Sequence, residues 1–149
     1  MTAKLGCQVK ITKILVRNLE KAVKKVEDPS ILTTNWDDIA GDPSIDIVIE
    51  LIGGIEPART YILSALKAGK NVVTANKDLI AVHGKEILET AGEAQKDFLF
   101  EAAVAGGIPI ISPLKNSLEA NHVTEVMGIV NGTTNFILTK MSQEGMELF

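Results

Sequence analysis

A single cysteine, Cys7, leaves no partner for an internal disulfide in a chain of 149 residues. Such usage fits a reducing compartment, and the cytoplasm is the expected location. No histidine lies near Cys7 in sequence to activate it, so its thiol reads as inert. Aromatic residues are scarce, at 4 %, and the net charge is -4. Nucleic-acid binding needs a basic stripe, commonly interleaved with aromatics, and none is present. The one basic cluster, Lys21, Lys24 and Lys25, reads as the solvated face of a short helix. No apolar run approaches the roughly 18 residues of a membrane span. The run from Ile45 to Ile55 is cut by Asp46, Glu50 and the Gly53-Gly54 pair. The N-terminus carries no apolar segment of the kind that marks a secretory signal. A soluble chain that binds neither membrane nor nucleic acid is expected. One further absence concerns a motif. No Gly-rich turn precedes Val9, where Gly6 stands alone.

A hydrophobic content of 46 % with mixed charges is enough to bury a core without metal or disulfide staples. Short β-branched runs alternate with helical periodicity, the pattern of crossover units in a parallel sheet. Strands are expected at Val9 to Val16, Ile31 to Thr34, Ile45 to Ile52, Val72 to Ala75, Phe98 to Val104 and Val123 to Val130. The apolar run ending at Ile52 suits a strand covered on both faces. Helices are expected from Leu19 to about Val26, capped by Asn18, and in a single turn through Trp36 and Ile39, capped by Asn35. Pro57 is placed at the first position of a helix whose Ala58, Ile62, Ala65 and Leu66 recur at helical spacing until Gly69. Beyond Lys77, a short helix from Leu79 to Val82 and a longer one from Lys85 to Ala94 are separated at Gly84. Pro109 opens a helix through Leu118, and Thr133 or Thr134 starts the last one, to about Gln143. The fold class is α/β, a doubly wound parallel sheet.

Ligands of such sheets bind at the carboxyl ends of the strands, and five segments fall there or at helix starts. Gly53-Gly54 ends an apolar strand before a helix, so backbone can approach a ligand, or simply turn tightly. Arg17 closes the first visible strand. That is where a dinucleotide fold places an acidic residue for a ribose 2′-hydroxyl or a cation for a 2′-phosphate. With no carboxylate before Glu20, NADP is favoured over NAD. Lys77 follows the strand ending Val73-Thr74-Ala75-Asn76. An ammonium there could bind a carboxylate or phosphate, or stabilise an alkoxide, and equally could be a surface residue. The stretch Glu101 to Ile108, with Gly106-Gly107 free to take positive φ, has the composition of a loop that turns carbonyls inward; one carboxylate plus several carbonyls suits a monovalent ion, and an ordinary Gly-Gly loop is the other reading. Asn131-Gly132-Thr133-Thr134-Asn135 places amides and hydroxyls at a helix N-terminus, which serves capping, carboxylate binding or both. His83 and His122 lack carboxylate or cysteine partners at ligand spacing and read as surface or turn residues. Trp36 and Tyr61 read as packing groups.

Taken together, Thr74-Ala75-Asn76-Lys77, Glu101 to Ile111 and Asn131 to Asn135 resemble the homoserine dehydrogenase family, from about Gly6 to the last residue. The resemblance implies an NAD(P)-binding domain over residues 1–122 and the start of a substrate and dimerisation domain over 123–149. It implies NADP- or NAD-dependent interconversion of L-homoserine and L-aspartate 4-semialdehyde in aspartate-derived amino-acid synthesis, by a homo-oligomer. Lys77 becomes the catalytic residue, and Arg17, Gly53, Gly54, Thr74, Asn76 and Lys77 contact the cofactor. Gly132 and Thr133 touch the substrate, and Glu101, Val104, Gly106 and Ile108 hold a sodium ion that ties the two domains together. The family's first strand and Gly-rich turn precede the segment seen here, and its second lysine and acidic substrate ligands follow it. The chain is therefore expected to be a piece that is inactive alone and prone to self-association. A non-catalytic binding module and another reductase of the aspartate pathway are the alternatives.

Overall fold

The computed structural model describes residues 6–129 and 131–147. Short parallel strands alternate with helices, and the chain divides between Leu99 and Phe100 into two compact units. The boundary placed at 122 from sequence falls within the second unit.

In the first unit β1 (Ile14–Leu15) pairs in parallel with β2 (Leu32–Thr33), Ile14 opposite Leu32. The strands β3 (Ile47–Glu50), β4 (Asn71–Thr74) and β5 (Phe98–Leu99) form a second parallel sheet in that order. The orders β2-β1 and β3-β4-β5 are those that a doubly wound sheet shows on either side of its opening strand. The α/β class expected from sequence is the class observed. The first strand is much shorter than Val9 to Val16, and Val9 and Ile11 are exposed. Its partner explains this. Asp28 accepts the Ser30 amide at 2.9 Å and winds Pro29–Ile31 into a 3-10 turn, which leaves only Leu32 and Thr33 extended.

Caps set the helix starts. Asn18 accepts the Lys21 amide at 2.9 Å and opens α1 (Leu19–Val23), which stops short of Val26. Asn35 accepts the Asp37 amide at 3.2 Å at the start of α2 (Asp37–Ala40). Trp36 stacks on Tyr61 with ring centroids 4.5 Å apart, and its indole N–H donates to the Ser64 hydroxyl at 2.7 Å. The two aromatics are indeed packing groups, for each other, and they seat α2 on α3 (Ala58–Lys67). Pro57 stands just outside α3. Glu56 accepts both the amide and the hydroxyl of Thr60 and so serves the helix start. Gly69, at φ +79°, ends the helix as expected.

Sequence reading broke the next helix at Gly84, but α4 (Lys77–Ala94) runs unbroken for 18 residues. Leu79, Ile87 and Ala91 keep one face buried on both sides of the glycine, and that burial outweighs the roughly 1 kcal/mol by which glycine disfavours a helix interior. Right-handed crossovers between successive strands place α3 and α4 on the same side of the sheet. Glu50, Val72, Thr74 and Phe98 are buried on that side with Ile62, Leu66, Leu79 and Ile87, whereas Ile47, Ile49 and Leu99 on the alternate positions are exposed. The expectation of cover on both faces of β3 is thus corrected: among the described residues one face is covered. A buried cation, Lys70, donates to the carbonyls of Asp42 and Ile45 at 2.5 and 3.0 Å and joins the start of β4 to the loop before β3.

In the second unit the strand expected to run on to Val104 gives way to a 3-10 turn at Glu101–Ala103. The next helical segment begins after Pro109 rather than at it, and its Pro113–Ser117 portion is a π-helix. Residues 123–129 form no strand. An isolated alternating segment needs a partner ladder, and none of the described residues supplies one. Val130 lies outside the described residues. Asn131, not a threonine, caps α5 (Gly132–Glu144) by accepting the Thr134 amide at 2.8 Å. No described helix is long and apolar enough to cross a membrane.

Continuity of α4 through Gly84 makes Gly84→Ala informative, because an added Cβ would meet Ile80 at an ordinary 3.5 Å. The substitution is expected to stabilise the chain by about 0.5–1 kcal/mol in urea unfolding. A loss of stability would mean that the helix breaks there.

Candidate active site

The carboxyl ends of β3 and β4 lie side by side, because Glu50 and Thr74 are register partners. The turn after β3 is made by Gly53 and Gly54, at φ +77° and +71°, conformations that a side chain would strain. Both are exposed, and the position of an added Cβ meets nothing within 4 Å. The backbone is therefore open to close approach.

The turn after β4 is held from within. Asn76, 6 % exposed, accepts the Leu79 amide at 3.2 Å through Oδ1 and so caps α4, while its Nδ2 donates to the Gly54 carbonyl at 2.6 Å. Its own amide donates to the Thr74 hydroxyl at 3.0 Å. Thr74, 1 % exposed, donates in turn to the Glu50 carboxylate at 2.6 Å. Thr74 and Asn76 therefore build the turn from beneath. Lys77, the first residue of α4, is exposed above them. Its ammonium stands at the positive end of an 18-residue helix, where anionic groups are favoured.

Arg17 follows β1 and is exposed. With Val16, Asn18, Lys21, Ala22 and Lys25 it lines an open cleft of about 300 Å³. Three cations face one groove, so two of the lysines read from sequence as a solvated face share a concavity with Arg17. Sequence reading also missed Glu50. Its signal was available: a carboxylate that ends an apolar strand just before a Gly-Gly turn must find buried donors.

In the second unit Glu101 turns its carboxylate onto the amides of Ile110, Ile111 and Ser112, at 2.5, 2.9 and 2.8 Å. The Ser112 hydroxyl and these amides hold its carboxyl down at about 2, well below the ordinary 4.5. Positive φ occurs at Ala105 and Gly106, not at Gly107. The Ala105 carbonyl accepts the Ile108 amide, whereas those of Val104, Gly106 and Ile108 accept no hydrogen bond among the described residues. At α5, Gly132 and Thr133 are the first two helical residues and both are exposed. His83 has a carboxylate partner after all, the Glu86 carboxylate 3.3 Å from Nδ1 on the same helix, which corrects the unpaired reading. It belongs to a surface cluster with Arg59 and carries no part of the crevice. Among the described residues no three acidic, histidine or cysteine side chains gather as a metal site.

Parallel strands that end in an open Gly-Gly turn and a capped helix bearing an exposed lysine form a crevice at the carboxyl end of the sheet, the position at which α/β folds bind their ligands. Comparison with known proteins makes this specific. The homoserine dehydrogenase NAD-binding domain matches residues 1–101, and the following homoserine dehydrogenase domain matches residues 109–149. The homoserine dehydrogenase of Bacillus subtilis is 53 % identical over 141 residues, covering 94 % of this chain and 32 % of that protein. The crystal structure of a homoserine dehydrogenase from Thiobacillus denitrificans superposes with a TM-score of 0.80 at 50 % identity, over 91 % of this chain and 31 % of that one. A hyperthermophilic archaeal homoserine dehydrogenase in complex with NADPH superposes with a TM-score of 0.66 at 31 % identity, over 85 % and 39 %. The chain belongs to the homoserine dehydrogenase family, of whose members it spans about a third of the length.

Glu101 offers a direct check of the second unit. A carboxylate whose folded pKa is depressed supports the fold above its unfolded value and loses that support as pH falls through the folded one. The window here runs from about 4.5 down to about 2. The carboxyl carbon resonance of Glu101 should therefore titrate with a midpoint near 2, with the Ile110 and Ser112 amide signals moving together with it. A midpoint near 4.5 would mean that the amides are not held.

Proposed function

We propose that this chain forms the cofactor crevice of an enzyme that interconverts L-homoserine and L-aspartate 4-semialdehyde with NADP. The observation that carries the reading is the pairing of the open Gly53-Gly54 turn with the Asn76-Lys77 turn on register-matched strands. The nicotinamide, when bound, supplies the hydride acceptor or donor. Gly53 and Gly54 let backbone lie against it without a Cβ in the way. Lys77 Nζ binds the substrate oxygen, which turns negative as hydride arrives at the aldehyde or as the alcohol gives up its proton before hydride loss, and the N-terminus of α4 adds its field. Thr74 and Asn76, assigned from sequence as cofactor contacts, act from below by shaping the turn. Arg17 binds the ribose 2′-phosphate, with Lys21 and Lys25 in the same cleft adding to the cationic field. The NADPH bound to the archaeal relative supports this choice.

In the second unit the free amides at the start of α5 make Gly132 and Thr133 the candidates for the substrate carboxylate. A sodium ion fits the Glu101 to Ile108 loop through its carbonyls. Those of Val104, Gly106 and Ile108 are unpartnered among the described residues, whereas the Glu101 carbonyl already accepts the Val104 amide at 3.1 Å and would add its second lone pair, its carboxylate being taken by amides. The ion's role is structural. The exposed Ile47, Ile49 and Leu51 support association into an oligomer, and the lone cysteine supports a cytoplasmic setting.

NADPH should quench intrinsic fluorescence or shift amide resonances of the chain at Gly53, Gly54 and Lys77. Arg17→Ala is expected to weaken NADPH about tenfold or more while leaving NADH within about twofold, since the lost charge-assisted bonds serve only the phosphate. Equal losses for both nucleotides would refute the 2′-phosphate role. In the full-length enzyme, Lys77→Ala should lower homoserine-dependent reduction of NADP by two orders of magnitude or so with an unchanged thermal midpoint. Near-normal turnover would return Lys77 to the surface.

A further inference from the structure

Glu50 is 4 % exposed, and its carboxylate meets no side-chain cation among the described residues. An anion in that position requires donors, and it has three. Oε1 accepts the amides of Ile52 and Gly53 at 2.6 and 3.1 Å, and Oε2 accepts the Thr74 hydroxyl at 2.6 Å. One oxygen thus holds the turn after β3, and the other holds the residue that begins the turn after β4. From Thr74 the bonds run on to the Asn76 amide, and Asn76 closes the circuit through the Gly54 carbonyl on one side and the Leu79 amide on the other. Every buried polar side-chain atom among the described residues is satisfied.

We propose that Glu50 is the positioning residue of the cofactor crevice. Acting through Thr74 and Asn76, it locks the Gly53-Gly54 turn to the Asn76-Lys77 turn, so that the backbone facing the nicotinamide and the Lys77 ammonium are presented as one rigid unit. The inference rests on the crevice reading above and adds to it the group that fixes the crevice's internal geometry. Chemistry explains why a carboxylate is used. Both of its oxygens are acceptors, and the circuit needs an acceptor on each side: two amides on one, a hydroxyl on the other. Glutamine would keep one acceptor for Ile52 and Gly53 but would aim N–H at Thr74. The Thr74 oxygen already accepts the Asn76 amide, and its proton would be left without a carboxylate to receive it. Apolar packing alone would tolerate many residues here, whereas this circuit distinguishes Glu from Gln.

The test is residue-resolved amide exchange on the chain without nucleotide, followed by NADPH titration. Glu50→Ala should speed exchange about tenfold or more at Ile52, Gly53, Asn76 and Leu79, while the amides of α3 around Ile62 stay slow. Glu50→Gln should leave Ile52 and Gly53 protected and loosen only Asn76 and Leu79. Thr74→Val, close in shape to threonine, should reproduce the Gln pattern, and Thr74→Ser should restore protection. These two variants carry the test if Glu50→Ala does not fold. Exchange that rises evenly through the sheet, or a Gln variant that matches wild type at Asn76 and Leu79, would overturn the coupling. In the titration, Glu50→Gln and Thr74→Val should each weaken NADPH about fivefold to tenfold, and Thr74→Ser should bind as wild type does. NADPH affinity unchanged in the uncoupled variants would also overturn the positioning role. If wild-type amides at Gly53 and Gly54 do not respond to NADPH, the crevice reading fails. The positioning role would fall with it, whereas the coupling between the two turns would still be measured by exchange.

Discussion

The Glu50 carboxylate buried between two adjacent turns is the constraint on which the crevice depends. A charge taken out of water must be repaid by donors, and an unpaired one would destabilise the fold by several kcal/mol. The donors available at the end of a parallel strand are the backbone amides of the turn that follows and the side chains of the neighbouring strand. By taking both kinds, Glu50 makes the shape of one turn depend on the other. Between these bonded groups the chain turns through positive φ at Gly53 and Gly54, a conformation that glycine adopts without strain.

The same logic, a short polar side chain satisfying backbone groups that helices and turns leave open, recurs along the chain. Asn18, Asn76 and Asn131 cap three helices through their first-turn amides. Glu101 does so with three amides at once, and the Ser112 hydroxyl together with these amides lowers its pKa by favouring the anion. Lys70 reverses the polarity, a buried cation held by two carbonyls. These polar devices place the ends of the elements, and the apolar set of Ile62, Leu66, Val72, Leu79 and Ile87 places their faces. The candidate site residues sit at the ends, so polar anchoring rather than apolar packing sets their positions.

Much of this was legible in the residues alone. The start of α1, capped by Asn18, and the extent of α3, with its periodic apolar face, were legible because capping and periodicity are local properties. The Gly53-Gly54 and Thr74 to Lys77 turns were recognisable as crevice candidates, since each joins an apolar run to a helical pattern. Strand lengths were not legible. Val9 to Val16, Phe98 to Val104 and residues 123–129 all have extended character, yet a strand exists only as far as a partner accompanies it. Gly84 misled for the opposite reason: its local preference argued for a break, and burial of Leu79, Ile87 and Ala91 overrode it.

By itself, the sequence determined the alternation of strand and helix, the α/β class, the caps at Asn18 and Asn35 and the turns that follow the central strands. All of these rest on interactions within a few residues of chain. Only the tertiary structure decided that Glu50 belongs to the crevice, that Thr74 and Asn76 work from beneath it, that Lys21 and Lys25 share a cleft with Arg17, and that Ile47 and Ile49 of β3 are uncovered among the described residues. Those facts depend on which strand lies beside which. Glu50 and Thr74 are 24 residues apart in the chain, and nothing in either segment specifies the other until the parallel register sets them side by side.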